Sequence, residues 1–330
     1  MIDEIRLTYA ALAQAQAPRR GDLRVHQLDR VGNRIQLGLD DEGREHLLVE
    51  SPQAPERESG IAAITTAHRD LLISDALARY LDVTCQHREL VEVFDHFVAA
   101  VAERADPDDP DLGLVVAMVL DRWRSFFTTT GAPPGRETVT GVFGELLLLR
   151  DIAARNVEDV LATWVGPRGG RHDFRRGSAA VEVKTSRAHT SRVVSIHGED
   201  QLLEPQDATL HLQFVRLEEV AGLGLSINDL IDELTTGGVP RVELLEVITD
   251  AGIPPASLAT VGTIRFQVRE RLTLPVNDDT PRIIPASFAA GARPVGVVDL
   301  TYRIDLDHVA TSALADRAYD ELLGRLVPGL

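Results

Sequence analysis

Apolar and polar positions alternate over three short stretches near the start of the chain, 24–28, 34–39 and 46–50, the period of two that a half-buried strand requires. A short amphipathic segment precedes them. A break at 51–60, rich in Pro, Glu and Ser, leads to a short apolar run at 70–73. Helical periodicity follows at 87–104 and 112–127, the two segments parted by a loop at 105–111 that contains Asp-Pro-Asp-Asp-Pro-Asp. A second break at 128–135, Thr-Thr-Thr-Gly-Ala-Pro-Pro-Gly, marks a boundary. Beyond it Val139, Val142, Leu146, Leu149 and Ala153 form one face of a helix expected over 137–156. Short strands are expected at 172–175 and 179–185, joined by a hairpin-type turn at Arg176-Gly177-Ser178. A third strand at 191–197, a helix starting at 198–203 and a fourth strand at 209–215 come next. The remainder reads as helices at 227–235 and 242–250, strands at 263–269 and 297–304, and a closing helix at 312–326. This order predicts α/β or α+β packing in three regions: an N-terminal α+β domain at 1–130, a core at 131–220 and a C-terminal α+β extension at 221–330.

Composition changes this picture little. The chain has 330 residues, 44% hydrophobic and 26% charged, as globular proteins do. A single cysteine, Cys85, excludes an internal disulfide and fits a reducing compartment. The acidic start Met1-Ile2-Asp3-Glu4 is unlike a signal peptide, and the apolar run at 112–120 is too short to span a bilayer. A cytoplasmic protein with no membrane partner is expected.

Charge changes it more. The net charge of −17 argues against broad, non-specific nucleic-acid binding. Yet between Trp164 and Arg192 seven basic residues (Arg168, Arg171, Arg175, Arg176, Lys184, Arg187 and Arg192) stand against two acids, Asp173 and Glu182. Such a stretch is either a local anion site or a set of solvated arginines on a hairpin. Within it lies Lys184, the only lysine among 34 basic side chains. Arginine replaces lysine poorly where a compact point charge or a shiftable proton is required.

Glu182 and Lys184 are two apart on an expected strand and share a face, while Val181 and Val183 point to the other. Asp173, on the partner strand, converges with Glu182 across the turn. Two carboxylates at close range repel unless one is protonated or a cation sits between them, and oxygen-only ligation by acids, a carbonyl such as that of Val183 and waters suits Mg²⁺. Glu145 interrupts the apolar run at 142–149; a carboxylate there either escapes to solvent or points at a partner.

Glu145, then Asp173, then Glu182-Val183-Lys184, on helix, strand and strand, resembles the PD-(D/E)XK nuclease superfamily over about 137–216. The flanks are similar to a family of uncharacterised bacterial PD-(D/E)XK proteins whose genes accompany restriction and phage-defence components. The resemblance implies a restriction-endonuclease-like α/β core with a mixed central sheet flanked by helices, and metal-assisted hydrolysis of DNA. It implies Glu145, Asp173, Glu182 and Lys184 as catalytic residues, with Mg²⁺ (or Mn²⁺) held by Asp173, Glu182, the Val183 carbonyl and Glu145. Lys184 would position the water, offset developing charge or act as base. Arg171, Arg175, Arg176 and Arg187 would contact phosphates, and Gln201, at the start of the expected helix, would lie near the scissile phosphate. The family's proline before the aspartate is absent; His172 stands there.

Competing chemistries fit less well. His172-Asp173 lacks the helical His and Asp ligands of an HD phosphohydrolase, and His189, His197 and His211 have no metal-ligand spacing. The sole lysine follows valine, so no Walker A loop exists and any motor in a defence system must be a separate ATPase subunit. Paired cuts on two strands would need a homodimer. The alternative is a DNA-binding or scaffold subunit that keeps the fold but does not cut outside a multi-protein complex.

Overall fold

A computed structural model of the chain describes residues 1–15, 21–28, 34–52, 63–73, 76–124 and 134–327. They divide into two compact units, Met1–Ala132 and Pro133–Leu330. Among the described residues no helix is long and apolar enough to cross a membrane. Most of the break at 51–60, the end of the helix expected at 112–127 and most of the boundary at 128–135 lie outside the described residues.

The first unit opens with helix α1 (Ile2–Gln14), followed by strands β1 (Arg24–Gln27), β2 (Ile35–Leu39), β3 (Glu45–Glu50), β4 (Ile64–Ile73) and β5 (Ala76–Cys85), then helices α2 (Val91–Arg104) and α3 (Leu112–Trp123). The strands form one antiparallel sheet in the order β1-β2-β3-β5-β4. Phe94, Phe97 and Val98 of α2 are fully buried, and Phe97 meets the edge of Trp123 on α3 at 6.2 Å between ring centroids. Asp111 caps α3 by accepting the Gly113 N–H at 2.8 Å. The run read at 70–73 is the end of a ten-residue strand, and its partner β5 was not read at all. Its alternation is masked because Asp82 and Thr84 are buried too: Asp82 Oδ1 stands 2.7 Å from His46 Nδ1 and Oδ2 accepts from Arg69.

The second unit contains α4 (Arg136–Ala153), β6 (Phe174–Arg176), β7 (Ala179–Ser186), β8 (Val193–His197), β9 (Thr209–Glu219), α5 (Ile227–Thr236), α6 (Arg241–Asp250), α7 (Leu258–Val261), β10 (Phe266–Pro275), β11 (Thr301–Asp305) and α8 (Asp316–Leu326). A mixed sheet runs β10-β9-β7-β6, with β7 and β9 parallel and the other pairs antiparallel. The two faces of β7 have different neighbours. On the face of Val183 and Thr185 lies α4, whose Gly144 comes so close that an added Cβ would stand 2.3 Å from Thr185 Cγ2. On the other face, Val194 and Ile196 of β8 and Ile304 of β11 join Ala180, Leu210, Leu212 and Phe214 in one apolar cluster. β8 and β11 pair with each other as a separate ribbon. The segment 221–330, read from sequence as an extension, belongs to this unit: it supplies β10, the ribbon strand β11 and α8, whose Tyr319 donates to Asp151 of α4 at 2.8 Å.

One expected element is absent. The helix starting at 198–203 is a turn, because Gly198 takes the left-handed region (φ +81°) and Leu203 N–H bonds back only to the Asp200 carbonyl at 3.1 Å.

Glu45, at the start of β3, is almost buried and its Oε2 has no hydrogen-bond partner. Burial, then the charge of Asp95, pushes its carboxyl from 4.5 up to about 8. Between about pH 4.5 and 8 the unfolded chain releases a proton that the folded chain keeps, so this group makes stability fall as pH rises. Glu45→Gln is expected to raise the unfolding free energy by about 1–3 kcal/mol at pH 8, with the gain shrinking as pH falls towards 4.5. Denaturant unfolding at both ends of that window checks the sign.

Candidate active site

The site begins with a missing stretch of strand. β6 is three residues long and its last pairing with β7 is Phe174 to Val181. Further along, the β7 edge has no strand beside it among the described residues, yet its backbone donors still require acceptors. Asp173, directly before β6, supplies one: its Oδ2 accepts the Val183 N–H at 2.7 Å. The Asp173 carbonyl in turn accepts from Val165 N at 2.9 Å and Gly166 N at 3.0 Å. Gly166 is required here, since a Cβ would lie 2.9 Å from both Cα and Oδ1 of Asp173.

The β7 alternation then places the charges. Glu182 is 2% exposed, and its Oε1 lies 2.9 Å from Lys184 Nζ. Lys184 also donates to Gln201 Oε1 at 3.1 Å, and that same oxygen accepts the His197 N–H at 2.8 Å. Gln201 therefore fixes the ammonium to the end of β8 from a turn rather than a helix start. Glu145 reaches the site from α4, next to Gly144, and its Oε2 accepts the Trp164 indole N–H at 2.6 Å.

These residues line one open cleft of about 600 Å³: Glu145, Asp173, Glu182, Val183, Lys184 and Gln201. Arg187 lines it too. The other arginines singled out in the sequence do not. Arg171 and Arg175 border a different cleft, where Arg175 pairs with Asp207 at 2.7 Å. Arg176 is held by the carboxylate and carbonyl of Asp159 at 2.9 and 3.2 Å. Two contributors were missed. Trp164 carries no motif of its own, and its part shows only in the indole bond to Glu145. Arg303, on β11 opposite Ser195, lines the cleft from more than a hundred residues away, a placement set by strand pairing and invisible to local pattern.

The electrostatics are strained towards neutralisation. Burial, then the charges of Asp173 and Glu182, raise the Glu145 carboxyl to about 8, against the Trp164 bond and Lys184. Burial and Asp173 raise Glu182 to about 8 in spite of the lysine. Asp173 is also raised by burial, with the Val183 N–H and Lys184 opposing. His172 is buried and pushed down to about 4 by burial and Arg171, so it is neutral at pH 7. Among the described residues, no three His, Cys, Asp or Glu side chains stand close enough to hold a metal ion as placed; each carboxylate is engaged by a protein donor instead. The donor set nevertheless suits a hard cation: three acidic side chains and a backbone carbonyl, with more negative charge than one ammonium offsets.

Two outcomes are expected. With Trp123→Phe leaving Trp164 as the sole tryptophan, indole fluorescence should titrate with a midpoint near pH 8, and Glu145→Gln should flatten it. Gly144→Ala should cost about 1–3 kcal/mol of stability by overpacking α4 against β7, with most of it recovered when Thr185→Ser removes the methyl in the way.

Comparison with known proteins agrees with this geometry. The family described as "Putative PD-(D/E)XK family member, (DUF4420)" matches residues 5–307. No curated protein and no solved structure matches the chain. The mixed sheet with its flanking helices is an α/β arrangement of the restriction-endonuclease-like class. With nearly its whole length matched and the acidic residues and lysine gathered on one cleft, the chain belongs to this PD-(D/E)XK family, whose membership points to nuclease-type chemistry.

Proposed function

We propose that this protein hydrolyses phosphodiester bonds of DNA in a Mg²⁺-dependent reaction, as an endonuclease of a bacterial restriction or anti-phage defence system. The observation that carries the reading is the meeting of Glu145, Asp173, Glu182 and Lys184 on one cleft. Asp173, Glu182 and the Val183 carbonyl would hold the cation, with Glu145 as a further ligand. When bound, a divalent ion lowers the pKa of water and offsets charge at phosphorus.

The side chains of the chain supply the rest. Lys184, pinned between Glu182 and Gln201, orients the attacking water, offsets charge on the phosphate oxygens or takes the proton. Arg187 and Arg303 line the cleft and have no carboxylate partner among the described residues, which leaves their guanidinium groups for phosphate oxygens. The acidic remainder of the chain disfavours loose binding elsewhere on the duplex. Cleavage of both strands would require two copies, and any ATP-driven translocation a second subunit.

Supercoiled plasmid incubated with the protein and Mg²⁺ or Mn²⁺ tests the reading. Nicking or linearisation is expected, abolished by EDTA and reduced at least about 10²-fold by Lys184→Ala. Cleavage unchanged in Lys184→Ala would sink the site assignment. No cleavage by the unaltered protein, together with a stoichiometric partner in pull-downs and unaltered function of the site variants, would favour a non-cutting DNA-binding or scaffold subunit. Competition between DNA and RNA duplexes separates the two substrates.

A further inference from the structure

A second cleft, of about 520 Å³, opens beside the candidate active site and shares Arg187 with it. Its floor is set by sheet register. Lys184 of β7 pairs with Phe214 of β9, which pairs with Leu272 of β10; one row further, Ser186 pairs with Arg216, which pairs with Glu270. Paired residues share a face of the sheet, so Arg216 projects on the same side as Glu182 and Lys184. Two residues along and one strand across place its Cα about 8 Å from that of Lys184.

The lining is built for an anion. Four arginines, Arg187, Arg192, Arg216 and Arg269, face two glutamates, Glu218 and Glu270, in a chain of net charge −17. Arg216 is mostly buried: one guanidinium nitrogen donates to the His189 carbonyl at 2.6 Å, another pairs with Glu270 at 2.7 Å, and its Nε is buried with no partner. Glu270 also holds Arg192, at 2.5 Å, and the other end of Arg192 pairs with Asp307 at 2.6 Å, while Arg269 pairs with Glu218 at the rim. One carboxylate thus fixes two guanidinium forks while each keeps further N–H donors. Arg187 has no ion pair or side-chain hydrogen bond among the described residues. A guanidinium set of this kind favours bidentate phosphate over a simple halide.

We infer that this cleft grips the sugar–phosphate backbone of the nucleic-acid strand whose scissile bond lies at Lys184, taking a phosphate a step or two along that strand. The inference rests on the proposed nuclease reading and extends it, since none of Arg192, Arg216 and Arg269 belongs to the PD-(D/E)XK motif. A duplex carries one phosphate per about 3.4 Å of axis on each strand, and the turn of the helix separates neighbours further through space, so an offset of about 8 Å falls within one to two phosphate steps.

The test uses the full chain with Lys184→Ala, so that binding is read without cleavage. Affinity for a fluorescein-labelled oligonucleotide duplex is measured by anisotropy at several salt concentrations, with and without Arg269→Ala and, separately, Arg216→Gln. Each cleft variant is expected to weaken binding about 5- to 20-fold and to lower the slope of log affinity against log salt by about one. Arg269 is exposed and its removal should leave the melting temperature unchanged, so its result stands even if Arg216→Gln destabilises the fold. Unchanged affinity and slope in Arg269→Ala and a folded Arg216→Gln would overturn the cleft assignment. So would failure of the parent protein to bind the duplex at all. Plasmid cleavage by protein with Lys184 intact is read in parallel, so a failure of the cleft leaves cleavage in place, whereas a failure of the nuclease reading removes it.

Discussion

Asp173 takes the place of a strand. The β6 ladder stops at Phe174, and the next β7 donor that needs an acceptor, the Val183 N–H, finds it in the Asp173 carboxylate. A buried backbone donor without a partner costs as much as a lost hydrogen bond, so the aspartate holds the edge of β7 together while standing beside Glu182. The position of Glu182 and Lys184 depends on that edge being straight. The close approach of Gly166 to Asp173 and of Gly144 to Thr185 depends on it too. A side chain that completes a sheet and also raises its neighbour's carboxyl cannot be optimised for stability alone.

The legible part of this structure was the part where local period and chemistry coincide. Glu182-Val183-Lys184 could be assigned to one strand because valines alternate with charges, and α4 could be drawn because its apolar positions recur every three or four residues. The parts that could not be read depend on partners distant in sequence. Along 80–85 β5 buries both its faces, so Asp82 and Thr84 break the alternation that would reveal a strand, and their satisfaction by His46 and Arg69 is tertiary. The helix expected at 198–203 failed on Gly198, whose left-handed backbone turns the chain. Arg303 reaches the cleft only through β8–β11 pairing.

The arginines show the same divide in a sharper form. The basic stretch 164–192 offered Arg171, Arg175, Arg176 and Arg187 as phosphate contacts. In the fold Arg175 and Arg176 are occupied by Asp207 and Asp159; Arg187 and Arg303 line the active-site cleft, and Arg216 and Arg269, paired with Glu270 and Glu218, line the second cleft beside it. Sequence density measures how many charges a segment carries, whereas an anion needs charges that converge, and convergence is decided by sheet register.

Three carboxylates around one ammonium form an arrangement that folding alone would not favour. Burial and mutual repulsion push Glu145 and Glu182 up to about 8, so near pH 7 the pocket retains protons that it would release if a cation entered. The strain is local: Trp164 and Lys184 each relieve part of it, and neither removes it. Replacing these carboxylates by amides should therefore stabilise the fold as it removes the site, the opposite of what truncating a packed core residue does. Of the three carboxyls pushed up to about 8 among the described residues, Glu145 and Glu182 share this cleft and Glu45 stands alone in the first unit; such clustering beside a lysine is a mark of functional sites more than of packed cores.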